Sequence, residues 1–195
     1  MRIRDEHKET IIREKAVEMI VKEGFDGLSM HKLAKEAGIS PATIYLYFKN
    51  REDLLNQVFI AVEDRFAEIT LKNFDPQMPF EDGLWLQWKN RFEHLNLFPN
   101  DFHFLQQFKN SPLINHCDIK ESRFKLAMRQ FFANAIARNE VRNLPVEVYW
   151  SLAYAPFYSL IKFHLGGNAF GKQTFELTES KMREAFELVI KALKN

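Results

Sequence analysis

A chain of 195 residues, 46% hydrophobic and 27% charged, is long enough to bury a core without covalent staples, and its single cysteine, Cys117, excludes an internal disulfide framework. A formal net charge of +1 excludes a wholly basic nucleic-acid-coating protein, and no stretch reaches the ~18 apolar residues that a membrane span needs. The opening MRIRDEHKET carries no apolar run behind its charges, so no secretory signal is read and a cytoplasmic protein is expected.

Helical periodicity runs nearly end to end, with no strand-like alternation, fixed-period repeat or low-complexity segment. The first helix is expected over 7–23, with Ile12, Ala16, Met19 and Ile20 on one stripe and Gly24 as its stop. Ser29 caps a short second helix, Met30 to Ala37, which Gly38 closes. Ser40 then caps a third, with Pro41 at the first helical position, where a missing N–H costs nothing. Pro41, Ile44, Tyr45 and Phe48 fall at i, i+3, i+4 and i+7 and share the inner face, with the Tyr45 hydroxyl at its boundary. Ala42, Thr43, Leu46 and Tyr47 point elsewhere. A fourth helix is expected from Glu52 to about Lys72.

After the loop NFDPQMP, helices are expected over 80–95, 101–109 and 118–137. A very apolar one follows over 146–165, ending at Gly166-Gly167, and a last one over 179–193. Pro156 lies inside the 146–165 segment and should kink it, because an interior proline removes a backbone bond. The fold class is therefore all-α. A three-helix head over 1–51 is followed by a larger helical body over 52–195.

The head has the pattern of a helix-turn-helix: a short helix, a glycine turn, and a second short helix capped by Ser-Pro. From Ser29 to Arg51 the cations are Lys32, Lys35, Lys49 and Arg51 against Glu36 alone, a local net +3. Such a helix would enter the major groove with its first turn toward base edges. Lys32 and Lys35 are expected to be solvated rather than base-reading.

The string LSMHKLAKEAGISPATIYLYFKNREDLL resembles the N-terminal domain of the tetracycline-repressor (TetR) family. The resemblance covers about the first quarter of the chain; the remainder is similar in being helical and of the right length. It implies that Ser29 and Ser40 are caps and backbone anchors, and that His31 reaches a base or a phosphate. It puts Pro41, Ala42 and Thr43 at the tip of the recognition helix and Tyr45 and Tyr47 at phosphate-contacting positions. Leu46 lies between them, where it can meet a thymine methyl, and Lys49 and Arg51 flank the phosphates. Tyr47 departs from the family's commoner histidine; a phenol donates to phosphate but brings no charge.

The resemblance also implies that the body holds a small-molecule effector and forms a homodimer. Of 19 phenylalanines, 17 follow residue 52, together with all three tryptophans, which favours an apolar or aromatic effector. The expected lining is Trp88, Phe92, Phe104, Phe108, Phe131, Tyr154 and Phe157, which recur on inner faces of successive helices. The last two helices carry more apolar surface than one body is expected to hide. Tyr149, Ala153, Leu160, Met182, Phe186, Val189, Ile190 and Leu193 are assigned to a dimer interface. The dimer would set two recognition helices one DNA turn apart on a pseudo-palindromic operator, and effector binding would shift the fourth helix.

No catalytic residue, metal site or cofactor is expected. The histidines at 7, 31, 94, 103, 116 and 164 form no HExxH or CxxC-type set, and His116, adjacent to Cys117 in sequence, points in a different direction on a regular element. The reading is a ligand-responsive transcriptional regulator, in the first instance a repressor. The alternative from another class is a helical ligand-binding protein or enzyme whose head does not bind DNA.

Overall fold

Capping chemistry sets the first helices. In a computed structural model describing residues 5–111, 123–166 and 174–195, Asp5 accepts hydrogen bonds from the backbone N–H groups of His7 and Lys8. That bonding opens α1 (Glu6–Gly27). The helix runs past its expected stop, but Gly24 still breaks its path, with φ at 74° and ψ at 177°. Ser29 accepts from Lys32 N to open α2 (Met30–Glu36), and Ser40 accepts from Thr43 N to open α3 (Pro41–Ile44). Between them Gly38 sits at φ 67°. Its N–H donates to Lys35 O and that of Ile39 to Ala34 O, at 3.2 and 3.0 Å. This is a Schellman turn, which needs a left-handed residue and so a glycine.

The chain packs as two units, Met1–Ile69 with Glu93–Ser122, and Thr70–Phe92 with Arg123–Asn195. The first holds α1 to α3, nearly all of α4 (Arg51–Thr70), and α6 (Pro99–Lys109). Its core gathers Ile12, Ala16 and Ile20 of α1, Leu33 of α2, Ile44 and Phe48, and Leu55 and Phe59 of α4. Phe104 and Phe108 of α6 complete it. Phe59 stacks on Phe108 with ring centroids 4.3 Å apart. Each buried Ile, Leu or Phe among them contributes roughly 1.5–3 kcal/mol. Packing thus groups α4 and α6 with the helix-turn-helix. The division at 51/52 read from the sequence is drawn by chemistry, DNA-facing against effector-binding, and a packing boundary is a different quantity.

The second unit takes the start of α5 (Phe80–Leu97), α7 (Arg123–Ala137), α8 (Val146–Ala153), α9 (Ala155–Gly166) and α10 (Glu179–Leu193). Pro156 does more than kink the apolar segment over 146–165. The segment breaks into α8 and α9 at Tyr154, whose φ and ψ are −123° and −28°, and the proline becomes the second residue of the new helix. Trp88 of α5 donates its indole N–H to Ala153 O at 2.9 Å, at the end of α8, and its ring meets Phe157 and Phe186. Tyr149 donates its hydroxyl to Arg142 O. The only strand-like feature among the described residues is an isolated bridge between Val141 and Lys194.

Candidate nucleic-acid interface

Two hydroxyls shape the tip of the helix-turn-helix. Ser40 Oγ lies 2.8 Å from Thr43 Oγ1 and also accepts from Thr43 N, so the cap and the Thr43 hydroxyl form one unit. Ala42 is exposed beside them, with Pro41 and Thr43 half-buried. His31 is exposed on the first turn of α2.

The α-helical bonding of α3 then tightens. Leu46 N donates to Thr43 O and Tyr47 N to Ile44 O, three residues back in each case. Such bonds make residues three apart eclipse. Tyr47 therefore falls over buried Ile44, and Tyr45 and Leu46 swing outward. Tyr45 is 52% exposed and Leu46 60%, while Tyr47 is 9% exposed. This corrects the inner-face assignment of Tyr45 and the outward assignment of Tyr47. The wheel centred on Ile44 and Phe48 leaves Tyr45 and Tyr47 flanking that centre, and only the tightened last turn distinguishes them.

Two further residues of the expected contact set have internal partners. The Tyr47 hydroxyl accepts from Asp5 N at 3.2 Å. Arg51, the first residue of α4, donates through Nε to Leu28 O at 3.1 Å and through Nη2 to Phe25 O. Lys49 is exposed, and its backbone N–H donates to Asp53 at 2.7 Å. The +3 patch is weakened further because Lys32 pairs with Glu23 at 2.8 Å. Asp5, Phe25 and Leu28, which receive or make these bonds, carried no signal in the sequence, since the partners lie 42, 26 and 23 positions away.

The expected effector residues separate into two groups. Phe104 and Phe108 belong to the core of the first unit. Trp88, Phe131, Tyr154 and Phe157 are fully buried in the second, and Phe92 is half-buried there against His164. Phe131 stacks on Phe80, and the Tyr154 hydroxyl meets the Met128 sulfur at 3.2 Å. The two clefts of the first unit run along α1 and α4, and the larger, about 180 Å³, is lined by Glu14, Arg65, Phe98 and Asp101 among others. None of the seven expected residues lines either cleft.

Tyr149, Ala153, Met182, Phe186, Val189, Ile190 and Leu193 are all buried within the single chain, and Leu160 is half-buried. The large apolar side chains that α8 and α10 leave in solvent are Val146, Val148, Trp150, Leu152 and Leu188. The stripe is the core of the second unit, because α10 packs on both α8 and α9.

Among the histidines, His94 is buried, its Nε2 3.2 Å from Asp101, and Arg65 grips the same carboxylate with two bonds of 2.8 Å. Burial alone would raise the Asp101 pKa, but the His94 and Arg65 contacts outweigh it and hold the carboxyl below its ordinary value of 3.8. His103 is exposed, and among the described residues no three potential metal ligands come together. His116, Cys117 and Gly167 lie outside the described residues. Among the described residues no helix is long and apolar enough to cross a membrane.

Two short capped helices joined by a left-handed glycine, with Ala42, Tyr45 and Leu46 exposed at the tip, form a helix-turn-helix beside a second all-helical unit. Residues 12–58 match the profile of the bacterial regulatory proteins of the tetR family. It is 37% identical over 114 residues to an uncharacterized HTH-type transcriptional regulator of Haemophilus influenzae, covering 57% of this chain and 61% of that one. It is 28% identical over 114 residues to the fatty acid metabolism regulator protein of Bacillus subtilis, covering 58% and 54%. The chain thus spans between half and two thirds of the length of these relatives. Among solved structures, a TetR family transcription regulator from Marinobacter aquaeolei superposes with a TM-score of 0.81 at 25% identity, over all of both chains. The regulator FadR from Bacillus subtilis, in complex with stearoyl-CoA, shares the fold with a TM-score of 0.68 at 21% identity, over 93% and 97% of the two chains. These relatives are named as transcriptional regulators or metabolism regulators.

Proposed function

We propose that the protein is a ligand-responsive transcriptional regulator that binds a pseudo-palindromic operator as a homodimer, in the first instance as a repressor. The observation that carries this is the exposed tip of α3. Ala42, Thr43, Tyr45 and Leu46 stand in solvent or at its edge on a capped scaffold that needs none of them for its core. Thr43 and Leu46 read base edges, the hydroxyl by hydrogen bonding and the isobutyl group by contact with a thymine methyl. Ser29, Ser40, Tyr45 and Lys49 hold phosphates, with His31 on a base or phosphate at the start of α2.

The effector is an apolar molecule held in the second unit, with Trp88, Phe92, Phe131, Tyr154 and Phe157 as its contacts once the rings part. A long acyl chain is favoured, because a 28% identical relative regulates fatty acid metabolism and a protein of the same fold holds stearoyl-CoA. The protein then works in the cytoplasm, where DNA and acyl thioesters meet. Dimerisation uses the apolar surface left exposed on α8 and α10, with Val148, Leu152 and Leu188 at its centre. The effector changes the spacing of the two α3 tips through α4, which leads from the first unit to the start of the second.

Footprinting of the chain on the fragment around its own gene tests the reading, with titration by palmitoyl-CoA. A two-armed, salt-sensitive footprint that the thioester alters is expected. No sequence-selective protection at any salt concentration would refute it.

A further inference from the structure

We propose that Tyr47 and Arg51 are positioning residues that brace α1 at its opposite ends, and that they do not contact phosphate. The proposal rests on the regulator reading only for its DNA consequences.

Tyr47 acts at the start of α1. The N-cap there is Asp5, and a complete capping box would place an acid or amide side chain three residues on, reaching back to the Asp5 N–H. Lys8 stands at that position and has no acceptor to offer. The Tyr47 hydroxyl accepts from Asp5 N instead, at 3.2 Å, from 42 residues away. A side chain 9% exposed and bonded in this way has its oxygen directed at α1 rather than at solvent.

Arg51 acts at the other end. The last turn of α1 contains no basic residue to meet its free carbonyls. The planar guanidinium supplies two donors at once, Nε to Leu28 O and Nη2 to Phe25 O. Phe25 O also accepts from Leu28 N, so Arg51 closes the corner that leads into α2. A lysine, a compact ammonium on a flexible stem, lacks the fork that holds both carbonyls in fixed geometry. The corner between α3 and α4 thereby fixes the helix against which the recognition segment is seated, leaving Tyr45 and Lys49 to face the phosphates.

The test uses the full chain and a duplex selected by the wild-type protein from a random-sequence library. Affinity is followed by fluorescence anisotropy across a KCl series. Tyr47→Phe and Arg51→Met should weaken binding about five- to tenfold while leaving the slope of log K against log salt at its wild-type value. Lys49→Ala should reduce that slope by about 0.9 for each phosphate lost. Hydrogen exchange, which needs no DNA, should accelerate at the first turn of α1 in Tyr47→Phe and around 25–28 in Arg51→Met. Arg51→Lys should restore that protection only in part.

A reduced salt slope in Tyr47→Phe or Arg51→Met would overturn the brace, as would wild-type affinity or unchanged exchange at the named end. If Arg51→Met does not fold, Tyr47→Phe decides alone. If the wild type selects no duplex, the regulator reading fails, and the exchange experiment still judges the brace.

Discussion

Tyr45 and Tyr47 differ by two positions and have opposite environments. A single i-to-i+3 turn decides which faces solvent, and it exposes Leu46 at the same time. Leu46→Asp should therefore leave stability within about 0.5 kcal/mol, as expected for an exposed site, yet weaken operator binding at least about tenfold by bringing a carboxylate to the phosphates. Paired thermal melts and anisotropy titrations check both halves. Asp101 has the opposite character, buried between Arg65 and His94. Its carboxyl is held below 3.8, so the fold favours the charged form. That stabilisation is complete at neutral pH and fades as pH falls below 3.8 toward the lower folded value. Asp101→Asn should cost about 1–3 kcal/mol in urea unfolding at pH 7, with the difference from wild type vanishing in strong acid.

Helix ends in this chain are governed by short-range chemistry. Ser29 and Ser40 cap as their types predict, Asp5 caps α1, and Gly38 takes the left-handed residue of a Schellman turn. A Cβ at Gly38 would meet nothing within 4 Å, so the cost of Gly38→Ala is the backbone conformation alone, about 1–2 kcal/mol. Urea titration should show that loss, and operator affinity should drop with it, because the turn aims α3. At the apolar segment over 146–165 the same local reasoning named the disrupting residue but not its effect. Pro156 breaks the segment because the chain changes direction at Tyr154, where Trp150 O still accepts from Tyr154 N and Trp88 takes the Ala153 carbonyl. The carbonyl partner comes from a helix 65 positions away, which no local pattern contains.

For the whole molecule, the apolar stripe of α10 shows how far periodicity goes. Met182, Phe186, Val189, Ile190 and Leu193 share one face of α10, and that face is buried inside the chain. Phe186→Ala should cost about 3–5 kcal/mol by leaving a cavity beside Trp85 and Trp88. Leu188, 67% exposed on the same helix, is the contrasting case. Leu188→Asp should preserve helicity and melting behaviour in a single chain while shifting sedimentation from dimer toward monomer. An unchanged dimer would move the proposed interface elsewhere.

The sequence by itself determined the all-α class, the positions of the caps and glycine turns, and the family of the head. Each of these rests on residues within about five positions of one another, where propensity and hydrogen-bonding reach suffice. Packing alone decides that Tyr47 and Arg51 face inward, that Phe104 and Phe108 serve the first unit, and that the α10 stripe is buried within the second. Those outcomes depend on partners 23 to 98 positions away, such as Leu28 for Arg51 and Trp88 for Phe186, and a helical period states which residues share a face without stating what covers it.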